Sequence, residues 1–149
     1  MKVYIGSDHR GYNFKKTIFD LLQKMDHDVI DIGVHEKGVP CDYPKIGHKL
    51  AQLVVKDRKA RGILICMSGI GQTIVANKVR GAYAALCYNA QAARLSRQHN
   101  NANILVLSGK FVKKKDLPRI LEVWFSAEFE GGRHLRRINQ IKRIEKGQK

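Results

Sequence analysis

Short runs of β-branched and apolar residues alternate along the chain with longer segments of helical period, and this alternation limits the fold more than any other feature. Residues 2–6, 28–32, 62–66, 82–86 and 103–107 read as five strands. Residues 13–25 place Phe14, Ile18, Leu21 and Leu22 on one helical face, and residues 44–56 do the same with Ile46, Leu50, Leu53 and Val54. Residues 70–78, 89–98 and 113–127 fill the remaining gaps. Strands joined through helices run parallel, and a parallel sheet is covered on both faces. The expected architecture is α/β, a three-layer sandwich around a five-stranded parallel sheet.

A chain of 149 residues suits one core, so 1–149 is expected to form a single domain. Gly131-Gly132 breaks the pattern before a last helix, about 133–146, where Leu135, Ile138, Ile141 and Ile144 recur at spacings of three. Both sheet faces are already covered at that point. The apolar stripe is therefore expected to pack on a partner subunit, giving a homodimer with this helix at its interface. From Arg133 onward there are seven basic residues (Arg133, Arg136, Arg137, Lys142, Arg143, Lys146, Lys149) against the single acid Glu145, which suits a solvated opposite face.

Composition excludes several classes. No apolar run approaches the roughly 18 residues a membrane span needs, and Met1 leads directly into a strand-like run without a signal-type apolar region, so a cytoplasmic location is expected. Cys41, Cys66 and Cys87 are odd in number and lack CxxC spacing, which argues for free thiols over disulfides or a structural metal. With 28 Lys+Arg against 13 Asp+Glu, the formal charge of +15 favours an anionic partner without naming it.

In an open parallel sheet, ligands bind beyond the carboxyl ends of the strands. After the third strand, Cys66-Met67-Ser68-Gly69-Ile70-Gly71 ends a buried run in a thiol and opens a helix through two glycines. Backbone N–H groups bared at such a turn receive an anion, and their potential stabilises a negatively charged sulfur. Cys66 is then a base or nucleophile, or else an apolar strand-end residue. After the first strand, Asp8-His9 is an acid/base pair or phosphate contact, or else a helix cap. His99, before Asn100-Asn101, also fits a plain helix-ending turn, and Arg133 with Arg137, four apart, face one way and suit a shared phosphate. Neither the GxGxxG fingerprint nor a GKS/GKT phosphate loop is present, which disfavours a nucleotide cofactor.

These segments together resemble the ribose/galactose isomerase family and, within it, the type B ribose-5-phosphate isomerases. The resemblance rests on Gly6-Ser7-Asp8-His9 with Gly11 and Lys15, on Asp42-Tyr43-Pro44, on residues 62–66 and 68–71 with Ala76-Asn77-Lys78, on Ser96-Arg97-Gln98-His99-Asn100, and on Glu130-Gly131-Gly132-Arg133-His134 with Arg137. It spans nearly the whole chain. It implies a Rossmann-like sheet, a homodimer or dimer of dimers with sites shared between subunits, and interconversion of ribose 5-phosphate and ribulose 5-phosphate with no metal and no cofactor. By the same resemblance His99 opens the sugar ring with Asp8 and Tyr43, Cys66 carries the proton between C2 and C1, and Ser68 assists. The bared amides of Ser68, Gly69, Ile70 and Gly71 can receive the enediolate charge, and Met67 is expected beside them in the substrate site. His9, Arg133 and Arg137 hold the phosphate, with Lys110, His99 and Asn100 reaching across from the second subunit. Three positions depart from the family pattern: Met67 stands where glycine is usual, Ser68 where threonine is common, and Lys110 where arginine is expected. Lysine keeps the charge and loses the bidentate fork.

Two other readings are weighed. One is an isomerase of another phosphosugar, such as allose or galactose 6-phosphate or a tetrose phosphate. The other is a basic nucleic-acid-binding module, which is disfavoured because no aromatic-bearing strand platform or helix-turn-helix pattern accompanies the charge.

Overall fold

A computed structural model describes residues 1–36 and 38–147, and Lys149 of the basic tail lies outside them. The strands are β1 (Lys2–Ser7), β2 (Asp28–Asp31), β3 (Arg61–Cys66), β4 (Ala84–Leu86) and β5 (Ile104–Ser108). The helices are α1 (Tyr12–Lys24), α2 (Tyr43–Lys56), α3 (Ile70–Ala76), α4 (Ala90–Gln98), α5 (Leu117–Ser126) and α6 (Gly132–Glu145). The strands form one sheet in the order β2-β1-β3-β5-β4, and every neighbouring pair is parallel. The expected α/β sandwich is what the chain adopts.

Alternation along the central strands builds the layers, because successive side chains leave a strand on opposite faces. Val3, Ile5, Ile63, Ile65, Leu105 and Leu107 point to one face, where they meet Phe14, Ile18 and Leu22 of α1, Ala93 of α4, and Leu117, Ile120, Leu121 and Trp124 of α5. Tyr4, Leu64, Ile104 and Val106 point to the other and meet Leu50, Ala51 and Val54 of α2 and Ala76 of α3. Each fully buried aliphatic side chain contributes roughly 1.5–3 kcal/mol relative to exposure, so the register of β1, β3 and β5 is strongly fixed.

Three boundaries differ from the sequence pattern by two residues or more, each for a local reason. Helix α3 stops at Ala76 because the Asn77 side chain donates to the carbonyls of Thr73 and Ala84 and accepts the Ala84 N–H. Strand β4 starts two residues late, since Tyr83 gives its N–H to the Asn103 side chain instead of a ladder. Helix α5 starts at Leu117, with Pro118 in its first turn where a missing N–H costs nothing, and Lys114–Asp116 form a 3-10 turn ahead of it.

The loop after β2 is tied down by Lys15. Its buried ammonium donates to both carboxylate oxygens of Asp31 (2.8 and 2.6 Å) and to the Val34 carbonyl (2.6 Å). This three-way anchor joins α1 to the segment that later delivers Cys41, Asp42 and Tyr43.

His27 sits under this layer, its ring 4.3 Å from that of Phe125 and both ring nitrogens buried without a partner. Burial, followed by the N-terminal ammonium, holds it below the usual histidine value of 6.5, while Asp26 opposes the shift. The unfolded chain therefore takes up a proton first as pH falls. Protonation of His27 therefore works against the fold, so stability holds above pH 6.5 and falls as pH drops from 6.5 towards the lower folded-state value. Replacing His27 with Phe is expected to add about 1 kcal/mol near neutral pH and to flatten the acid limb of thermal stability, as followed by melting temperature against pH.

Helix α6 crosses the end of the molecule with both termini attached to its own chain. Glu145 accepts the Gly81 N–H through one carboxylate oxygen and the Tyr83 hydroxyl through the other, while Arg80 donates to its carbonyl. Burial, together with Glu145, pushes the Tyr83 phenol up to about 12. Of the predicted stripe only Ile138 is buried within the chain, whereas Leu135, Ile141 and Ile144 are 44%, 40% and 72% exposed.

Candidate active site

In the order β2-β1-β3, the chain leaves β1 first to one side and then to the other, so the loops after β1 and β3 diverge and open a crevice between them. A cavity of about 600 Å³ lies there, lined by Asp8, His9 and Arg10 after β1, by Cys41, Asp42 and Tyr43 before and at the start of α2, and by Cys66, Met67, Ser68, Ile70, Gly71 and Ile74 after β3. Its volume suits a small metabolite.

Cys66 is the last residue of β3 and is 6% exposed. The N–H of Gly69 donates to its Sγ at 3.1 Å. This contact needs the chain to reverse within three residues, which Gly69 permits by adopting φ +86°, where side chains are strained. A Cβ at that position would also strike Leu86. The sulfur thus faces a backbone donor at the start of α3, on the cavity wall. Cys87 is buried in the core away from the cavity, and desolvation pushes its thiol up to about 11.

The other amides of the turn divide their roles. The Ile70 N–H donates to Ser68 Oγ at 3.3 Å, while those of Ser68 and Gly71 have no acceptor among the described residues. A Cβ on Gly71 would stand 2.7 Å from the Tyr43 ring, so this glycine lets the phenol lie against α3 at the cavity wall. Behind the turn, the Met67 carbonyl accepts the Ser108 hydroxyl (2.6 Å) and the Lys110 N–H (3.1 Å), which pins the loop to the end of β5.

Asp8 is buried and its Oδ1 accepts the Gly11 N–H at 2.9 Å, so it caps the turn into α1 while lining the cavity. His9 Nδ1 accepts the Cys41 N–H at 3.4 Å, leaving Nε2 to carry the proton of the neutral ring. Met67 is exposed on the wall, with its sulfur 3.5 Å from an Arg10 nitrogen. Arg10 is the one cation among the described residues that line the cavity.

The remaining predicted residues lie elsewhere in the same chain. His99 ends α4, and its ring stacks on that of His134 near the start of α6 at 4.2 Å and 5° between planes. Glu130 Oε2 is 3.9 Å from His99 Nε2 and 3.5 Å from His134 Nε2, and Arg133 Nε reaches the same His134 nitrogen at 3.5 Å. Arg133, Arg137 and Asn100 are exposed nearby in sequence, and none of them, nor His99 or Lys110, is among the residues lining the cavity. The Lys110 ammonium instead lies 5.6 Å from the Phe111 ring centre. Ligand atoms of His99, Glu130 and His134 fall within 4.8 Å of one another. Parallel rings aim their nitrogen lone pairs side by side and not at one point, and the Arg133 Nε–H donates to His134 Nε2, so the trio does not converge on a cation.

The turn that presents His99 is fixed from below. Arg97 donates to the Asn101 side chain (2.9 Å) and the Ala102 carbonyl (2.6 Å), and its guanidinium packs 5.9 Å from the Trp124 ring centre. Burial, followed by Arg61, lowers Arg97 to about 10, which leaves it charged at neutral pH.

Sequence reasoning missed Arg10, Cys41, Asp42 and Ile74 as cavity residues. Ile74 was accessible from its spacing, one helical turn beyond Ile70, whereas Cys41 comes from a loop with no periodicity to place it.

The profile of the ribose/galactose isomerase family matches residues 3–141. A probable ribose-5-phosphate isomerase B of Mycoplasma genitalium is 43% identical over 145 residues, 97% of this chain and 95% of that protein. The fold is similar to that of ribose-5-phosphate isomerase B from Clostridium thermocellum, with TM-score 0.93 and 48% identity over 99% of each chain. It is equally similar, at TM-score 0.93 and 42% identity over 97% of this chain and 96% of the other, to the Mycoplasma genitalium ribose-5-phosphate isomerase B solved with bound ribulose 5-phosphate. On the matched length and on these identities, the chain belongs to the ribose/galactose isomerase family.

Proposed function

We propose that this protein interconverts ribose 5-phosphate and ribulose 5-phosphate through an enediolate, with Cys66 as the base. The observation that carries the reading is the Gly69 N–H held 3.1 Å from Cys66 Sγ on the wall of the cavity. The relative with bound ribulose 5-phosphate supports the substrate.

The steps balance as follows. A histidine at the position of His99 takes the proton of the anomeric hydroxyl, the bond from C1 to the ring oxygen breaks, and that oxygen takes up the proton from the imidazolium, which leaves the histidine neutral again. Asp8 and Tyr43 line the cavity and are the proposed polar partners of the opened sugar. Cys66 thiolate removes the C2 proton, the electron pair forms the C1–C2 double bond, and O1 becomes negative beside the unpartnered amides of Ser68 and Gly71. Ser68 relays the O2 proton to O1, and Cys66 returns its proton to C1.

His99, Asn100, Lys110, Arg133 and Arg137 do not line the cavity of their own chain, and α6 leaves three apolar residues of its stripe exposed. Both features support a homodimer or dimer of dimers in which these residues complete the partner's cavity, the phosphate lying between His9 and the arginines. Sedimentation at micromolar concentration is expected to show dimer or larger, and a monomer that is fully active would refute the shared site. No helix among the described residues is long and apolar enough to cross a membrane, in keeping with a cytoplasmic enzyme.

The discriminating assay compares ribose 5-phosphate with allose 6-phosphate, galactose 6-phosphate and a tetrose phosphate. The pentose is expected to show the highest kcat/KM. Turnover of a six- or four-carbon phosphate without the pentose would shift the assignment and point to Met67 and Lys110 as its source.

A further inference from the structure

Outside the cavity, the stack of His99 on His134 has a geometry to which the scheme above gives no role. We infer that His134, with Glu130, is a positioning residue that holds the His99 imidazole in the single orientation needed for ring opening. The inference rests on the proposed role of His99.

Four observations carry it. The rings are parallel within 5° at a centroid separation of 4.2 Å, whereas a chance contact between two exposed loops would leave the planes free. His134 is buried and anchored on the first turn of α6, while the His99 side chain is 36% exposed and makes no hydrogen bond among the described residues, so the stack restrains the looser ring by the firmer one. Glu130 is fixed by its own backbone, its N–H donating to the Gln98 carbonyl at 3.0 Å beside His99, and its carboxylate lies closer to His134 than to His99. Finally, the groups facing His134 are His99, Arg133, Arg137 and Glu130. Burial, His99 and the two guanidiniums lower its tendency to protonate against the pull of Glu130.

The physical consequence is a division of labour. A neutral His134 offers an aromatic face without placing a second positive charge against His99 when that ring takes a proton. Ring opening demands that one nitrogen meet the anomeric hydroxyl in line, and a ring free to swing about its two side-chain torsions meets it rarely.

Two reactions separate the step that needs His99 from the step that does not. Conversion of ribose 5-phosphate starts from a closed ring. Exchange of the C1 hydrogens of ribulose 5-phosphate with deuterated water starts from an open chain and needs only the cavity base. His134→Ala is expected to lower kcat for ribose 5-phosphate by about tenfold with little change in KM, and to leave the exchange rate within about twofold of wild type. His134→Phe, which restores a ring to stack on, is expected to recover most of the loss. Equal loss in both reactions, or none in either, overturns the inference, as does failure of Phe to do better than Ala. Should the Ala variant not fold, Glu130→Gln at an exposed position serves in its place, with the same selective loss expected and an unchanged ratio counting against. His99→Asn in the same pair of assays tests the underlying reading separately. If it slows neither reaction, the role of His99 itself is wrong. If it slows only the closed-ring reaction while His134→Ala does not, the positioning role alone is wrong.

Discussion

Changing Cys66 to alanine is expected to lower interconversion of ribose 5-phosphate and ribulose 5-phosphate by about 10²- to 10⁴-fold, the span over which a positioned general base contributes. Cys66 is a strand-end residue whose sulfur meets the Gly69 amide, so the variant loses one hydrogen bond and a small volume. Its stability should fall by no more than about 1–2 kcal/mol. Far-ultraviolet circular dichroism and the melting midpoint distinguish loss of chemistry from loss of fold. Cys41 and Cys87 supply the controls: alanine at Cys87 removes a core thiol, and alanine at Cys41 removes a wall thiol whose backbone N–H still reaches His9.

The second large effect is expected at Gly69. A Cβ there faces Leu86, whose side chain can shift, but φ +86° cannot be kept without strain of roughly 1–2 kcal/mol. Gly69→Ala therefore either pays in stability or relaxes the turn, and relaxation withdraws the N–H from Cys66 and tilts the first turn of α3. Loss of about 10²- to 10³-fold in kcat is expected, the usual effect of removing one donor from a charge-stabilising site. An active Gly69→Ala protein would mean that the amide does not serve the thiol. Gly71→Ala should act differently, through displacement of the Tyr43 ring, and so weaken substrate binding as well as turnover.

The architecture was legible in the sequence wherever burial was total. Strands β1, β3 and β5 carry unbroken apolar runs because both faces of a central parallel strand are covered, and no helix imitates so short a run flanked by glycine and polar residues. Strand β4 was legible in place but not in length, since the side chains of Asn77 and Asn103 set its edges and such bonds leave no periodic trace. The site was half legible. The loops after β1 and β3 declared themselves through Asp8-His9 and the glycine turn, because ligand placement follows from strand order once the sheet is known. The stripe on α6 is legible as apolar residues at spacings of three, and three of its four residues are exposed in the single chain. What the sequence could not convey was the pairing of distant segments. Glu130 and His134 appeared only as part of a motif, and their contact with His99 depends on how α6 returns to the end of α4.

The measurement that bears most directly on Cys66 is the incorporation of solvent deuterium at C1 of ribulose 5-phosphate, followed by proton nuclear magnetic resonance in deuterated water. Wild-type protein is expected to exchange this position during turnover, and Cys66→Ala, folded to the same extent, is expected to exchange it about 10²- to 10⁴-fold more slowly. Exchange by the Cys66→Ala protein at the wild-type rate would contradict the assignment of Cys66 as the base.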